Sequence, residues 1–104
     1  MQYTTLTTLG EYRDTGPGRV LLLDSPYVKI LQFTLKAGQA LPLHKHDDEG
    51  YVSLTVVEGT GHFLDTQGKH PARPGDHCLC PIAEPHGVEA VTDMRVLVHI
   101  APPV

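Results

Sequence analysis

The sequence predicts an all-β protein, a sandwich or barrel of short strands. Three observations carry that expectation. Short apolar runs rich in Val, Ile, Leu, Phe and Thr recur along the chain, turn formers separate them, and no segment shows an amphipathic helical repeat of usual length. With ten glycines and nine prolines in 104 residues, there is little room for a long helix.

In chain order, "TTLTTLGEYR" (4–13) is the only weak helix candidate, and its four threonines favour extended chain or a single turn. Strands are expected at "RVLLLD" (19–24), "VKILQFTL" (28–35), "YVSLTVV" (51–57), "GHFLD" (61–65), "HCLCPI" (77–82) and "RVLVHI" (95–100). Turn signals fall between them: Gly16-Pro17-Gly18, Ser25-Pro26, Ala37-Gly38, Gly59-Thr60-Gly61, Gln67-Gly68, Pro74-Gly75 and Glu84-Pro85. The terminal "APPV" cannot continue a central strand because proline lacks the N–H, so the sheet is expected to end near Ile100. There is no linker, low-complexity segment or clear internal repeat, and the chain reads as one domain, 1–104.

Composition narrows the function classes. Hydrophobic residues make up 40% and charged residues 19%, with no apolar run long enough to cross a bilayer, so neither disorder nor a membrane span is expected. The formal charge is −4 and the eight basic residues are scattered, which argues against a nucleic-acid partner. "MQYTTLTTLG" lacks the basic start and apolar core of a secretory signal, so a cytoplasmic location is expected, with Cys78 and Cys80 as thiols.

Chemistry concentrates in "LPLHKHDDEGYVSLTVVEG" (41–59). Chance alone provides roughly 0.5 His-x-His pairs in a chain this rich in histidine, so the pair His44 and His46 is weak evidence by itself. Its geometry says more: residues i and i+2 of a strand share a face, and two imidazoles there can converge on one ion. In "GDHCLCPIAEPHG" (75–87), Pro81 and Pro85 stiffen the approach to His86, a candidate remote third imidazole. Zn, Fe, Mn, Ni and Co all accept such ligands.

These segments together resemble the two motifs of the cupins, metal-binding β-barrels of jelly-roll type, also described as a double-stranded β-helix. Gly38, "QALPL" and His44-Lys45-His46 match the first half of their first motif, and "VVEG" ending on Gly59 matches its close, so motif 1 spans 38–59. Gly75, "DHCLC", Pro81, Ile82, "EP" and His86 match the second motif, 75–90, with Ala83 in place of its glycine and Ala90 in place of its asparagine. The resemblance implies a six- to eight-stranded barrel holding a divalent transition metal (Fe, Mn, Ni or Zn) on His44, His46 and His86.

One position departs from the pattern. Where the family carries a glutamate, seven residues before Gly59, this chain has Val52. Glu49 is a possible additional ligand from the enlarged loop. Alternatively, Val52 faces inward beside Leu54 and Val56, leaving a three-histidine site, or the metal has been lost. The inward apolar stripe follows from strand parity, and the three-histidine site is the favoured reading.

Asp47, Asp48 and Glu49 read first as a solvated acidic loop, one that would disfavour anionic ligands near a cavity mouth. His62, His70 and His77 match no motif position. Val52, Leu54, Tyr51 and His99 are the candidate pocket-lining residues: Tyr51 beside the vacant glutamate position, His99 from within an apolar strand. Cys78 and Cys80 share a strand face but stand near the limit of disulfide geometry, and read as core residues. There is neither a nucleophilic triad nor a phosphate-cradling glycine loop, and no catalytic residue is assigned.

A metal on three neutral imidazoles keeps its charge and has free coordination positions, which suits a metal-dependent dioxygenase or related enzyme on a small organic substrate. The competing expectation is a non-catalytic cupin that binds or senses a metal or small ligand, since the glutamate that often serves as acid–base group is missing. The resemblance also implies a homodimer, with Tyr3 to Tyr12 as the candidate contact.

Overall fold

The computed structural model describes all residues, Met1–Val104, and contains nine β-strands and one 3-10 turn, Leu6–Thr8. The strands are β1 (Gly18–Asp24), β2 (Lys29–Leu35), β3 (Ala40–His44), β4 (Tyr51–Glu58), β5 (Gly61–Asp65), β6 (Gly68–Ala72), β7 (His77–Pro81), β8 (His86–Ala90) and β9 (Met94–Ala101). They form two antiparallel sheets, ordered β1-β2-β9-β4-β7 and β3-β8-β5-β6. The fold is all-β, and no helix is long and apolar enough to cross a membrane.

All six expected strands are present. Three more bring the total to nine, above the six to eight the resemblance implied: β3, β6 and β8. β3 and β6 are the two edges of the second sheet, and each contains a proline, Pro42 and Pro71. An edge strand tolerates the missing N–H, so proline punctuates the sequence there without ending the strand. β9 stops at Ala101, before Pro102.

Alternation along β4 and β9 builds the core. Val52, Leu54 and Val56 on β4, with Met94, Val96 and Val98 on β9, turn one face inward and join Leu31, Leu35 and Val88. Register holds these rows together, because Leu31 pairs with Val98 and Val98 with Leu54. The β4–β5 turn depends on Gly59: its φ is +79°, and an added Cβ would sit 1.9 Å from the Asp93 carbonyl oxygen.

β2 is covered on both faces. Leu31 and Leu35 look into the core, while Gln32 and Thr34, also buried, look outward. The N-terminal segment covers them: Gln32 Nε2 donates to the Leu6 and Leu9 carbonyls at 2.7 and 3.1 Å, and Thr34 Oγ1 donates to the Glu11 carbonyl at 2.7 Å. Arg95 completes the attachment, donating to the Leu9 and Gly10 carbonyls, to Tyr12 Oη and to Glu58. Buried donors aimed at backbone carbonyls explain why this threonine-rich stretch forms a strap with one tight turn. Much of the segment expected to mediate dimer contact, 6–12, is therefore committed to its own chain.

Candidate metal and ligand site

His44 and His86 face one another because β3 and β8 are paired at that point of their ladder. Their rings lie 4.5 Å apart between centroids, and His44 and His46 are 5.5 Å apart, nearly perpendicular. The simple two-residue alternation expected for His44 and His46 does not produce this arrangement. β3 ends at His44, and its register slips between Leu41 and His44, where three steps on β3 oppose two on β8. Such a bulge re-aims the side chains that follow it. Gly87 makes room for it: a Cβ there would come within 2.6 Å of the Leu41 carbonyl oxygen and 3.0 Å of the Leu43 nitrogen.

Beyond the strand, His46 is held by the loop of the second motif. Its N–H donates to the Ile82 carbonyl at 3.1 Å, and the Ile82 N–H donates to the Gly50 carbonyl at 2.9 Å. Ile82 is itself buried, which anchors the clip. The two motif loops thus reach the site as one unit. His44 and His46 are exposed, whereas His86 is 5% exposed.

Two of the three imidazoles rest Nδ1 on a backbone carbonyl. His44 Nδ1 lies 2.7 Å from the Pro42 carbonyl oxygen and His86 Nδ1 lies 2.7 Å from that of Glu84. A carbonyl oxygen only accepts, so Nδ1 carries a hydrogen in both rings, and Nε2 is the nitrogen that offers a lone pair when the ring is neutral. Burial pulls the His86 pKa below the ordinary histidine value; the contact with the Glu84 backbone opposes this, and the neighbouring His44 and His46 add to it. Neutral imidazoles with Nδ1 tied to carbonyls are the form in which histidine binds a metal. In donor chemistry the residues fit a divalent ion. As placed, no group of three or more His, Cys, Asp or Glu side chains stands in a metal-holding arrangement.

The histidines border a cavity of about 410 Å³. One wall is the inner face of the larger sheet, formed by Leu31, Phe33, Val52, Leu54, Val98 and Ile100. Leu41, Pro42 and Ile82 contribute on the histidine side, and Arg19, Lys29 and Val104 complete the lining. Val52, 3% exposed, lies within this wall, so the family's glutamate position is an apolar surface here.

The other expected site residues lie elsewhere. Glu49 is exposed and lines a separate groove with Asp48, Gly50, Tyr51, Pro81 and Ala83, so it does not border the histidine cavity. Asp47 pairs with Lys45 at 3.2 Å on the surface. Tyr51 is 59% exposed, because the parity that turns Val52 inward turns Tyr51 outward. His99 follows the same parity: it alternates with the cavity-lining Val98 and Ile100, and its Nδ1 lies 3.4 Å from Ser53 Oγ on the opposite face. His62 and His70 stand beside the carboxylates of Glu89 and Asp65. Cys78 and Cys80 are free thiols packed against the core, and burial pushes Cys80 up to about 11. Sequence reading missed Arg19 and Lys29, which carried no motif; alternation with the apolar residues of their own strands was the available signal.

The chain belongs to the cupin family, whose domain model matches residues 31–100. Among solved structures, it is similar to an RmlC-like cupin protein from Desulfovibrio desulfuricans, at 43% identity and a TM-score of 0.94, over 100% of this chain and 99% of that one. The TT1209 protein of Thermus thermophilus shares the fold at 24% identity and a TM-score of 0.87, over 98% of both chains. Salicylate 1,2-dioxygenase of Pseudoaminobacter salicylatoxidans shares it at 17% identity and a TM-score of 0.74, over 85% of this chain and 27% of the dioxygenase. No curated protein matches this sequence.

Proposed function

We propose that this cupin binds a divalent transition metal (Fe, Mn, Ni or Zn) through His44, His46 and His86, and acts as a metal-dependent dioxygenase or related enzyme on a small organic substrate. The observation that carries the reading is the pair of Nδ1 to carbonyl contacts, to Pro42 and Glu84, which occupy Nδ1 of His44 and His86 and leave Nε2 as the nitrogen available to a metal at a cavity edge. When bound, the metal would supply a Lewis-acid or redox centre with free coordination positions.

The chain's own residues would do the rest. The Val52, Leu54, Val98 and Ile100 side chains would exclude water and seat an apolar body, and the clip from Ile82 to His46 would hold the exposed histidine in place. Fold similarity to salicylate 1,2-dioxygenase, one structure of which contains gentisate, is compatible with this chemistry.

A second reading, a non-catalytic metal- or ligand-binding module, is favoured by one observation: no Asp or Glu lines the cavity, leaving no carboxylate base there. Elemental analysis of protein purified without affinity-tag metals tests the site. About one equivalent of Fe, Mn, Ni or Zn is expected, with its loss in His86→Ala; metal-free protein indifferent to chelator would remove the reading. Oxygen uptake by the iron-loaded protein with a panel of phenols and diketones separates the two functions. Uptake supports the enzyme, and ligand binding without uptake supports the module.

A further inference from the structure

The charged side chains around the cavity have one sign. Arg19 and Lys29 line it and no Asp or Glu side chain does, in a chain whose formal charge is −4. This reverses the expectation drawn from Asp47, Asp48 and Glu49. The reversal follows from register: Arg19 pairs with Phe33 and Lys29 with Ile100, so both cations share a sheet face with the apolar wall. Lys36, Lys45, Lys69 and Arg95 are each paired with a carboxylate. Arg19 and Lys29 pair with no Asp or Glu, as is also true of Arg13 and Arg73 away from the cavity, and Lys29 Nζ lies 3.5 Å from an oxygen of Val104, the last residue, so a ligand carboxylate there would share or displace that contact.

We infer that the cavity binds a small organic acid, with its carboxylate at Arg19 and Lys29 and its apolar body against Leu31, Phe33 and Ile100. A guanidinium fork matches a carboxylate in plane, and an ammonium adds a point charge. The volume, about 410 Å³, lies toward the lower end of small-molecule sites and suits a compact molecule. This deepens the reading above by naming the ligand class, and it rests on that reading only for the ligand's fate, since neither cation is a proposed metal ligand.

Benzoate, with benzamide as its neutral isostere, tests the inference in metal-free protein by calorimetry and amide chemical shifts. Benzoate should bind roughly tenfold more tightly than benzamide, and Arg19→Gln or Lys29→Gln should each weaken benzoate by roughly tenfold while leaving benzamide unchanged. Amide spectra of the variants report whether the fold is intact. Equal affinity for the two probes, absence of benzoate binding, or benzoate affinity unchanged in the double variant overturns the inference.

Repeating the titration with added Mn²⁺ and with His86→Ala distinguishes the two readings. Benzoate selectivity without metal uptake would remove only the metal site. Benzoate binding that needs metal and His86, but neither cation, would remove only the anion site.

Discussion

His86 concentrates the physical tension of the site. It is nearly inaccessible and surrounded by two other imidazoles, so protonating it is costly, while its Nδ1–H is engaged with Glu84. Its folded pKa lies below the ordinary value of 6.5, so the unfolded chain takes up that proton first as pH falls. Stability contributed at this position is present above the ordinary value and declines as pH drops through it toward the lowered one. Chemical denaturation of metal-free protein should therefore show stability falling over this window, and His86→Gln should flatten that dependence. Val52 makes the complementary point, since it is legible as an absence in the motif but becomes informative only as part of the apolar cavity wall.

At the scale of elements, the decisive feature is the β3 bulge packed on Gly87. Without it, His44 would fall in ordinary alternation and lose its place opposite His86. Gly87→Ala should destabilise the protein by about 2 kcal/mol, since the new methyl meets backbone that cannot swing aside. It should also weaken metal uptake, measured by competition with a chelator, because β3 and His44 would be displaced together. The β4, β5 and β9 segments were legible from their apolar runs, whereas β3, β6 and β8 were not. Pro42, Pro71 and Gly87 read locally as punctuation, and the edge position or close backbone approach that each serves is a relation between distant segments.

For the molecule as a whole, the N-terminal strap shows how a polar outer face is closed. Arg95, with a side chain 12% exposed, gathers two carbonyls, Glu58 and Tyr12, and its guanidinium carbon sits 4.6 Å from the Tyr12 ring centroid. Arg95→Met should lower stability by about 2 kcal/mol. Hydrogen exchange should speed up in residues 6–12, with the β4–β9 core left protected. Leu21, Leu23 and Tyr27, on or beside the β1 edge strand, remain exposed, whereas the strap is occupied within its own chain.

The sequence by itself determined the all-β class, six of the strands, the inward stripe of Val52, Leu54 and Val56, and the three histidines singled out by motif spacing. These are local or evenly spaced properties, set by side-chain type, strand alternation and turn chemistry. The tertiary structure alone decided that a bulge aims His44 at His86, that Glu49 and Tyr51 turn away, and that Arg19 and Lys29 border the cavity. Each of those depends on register between strands far apart in the chain, and a shift of one residue in register exchanges the buried face for the exposed one.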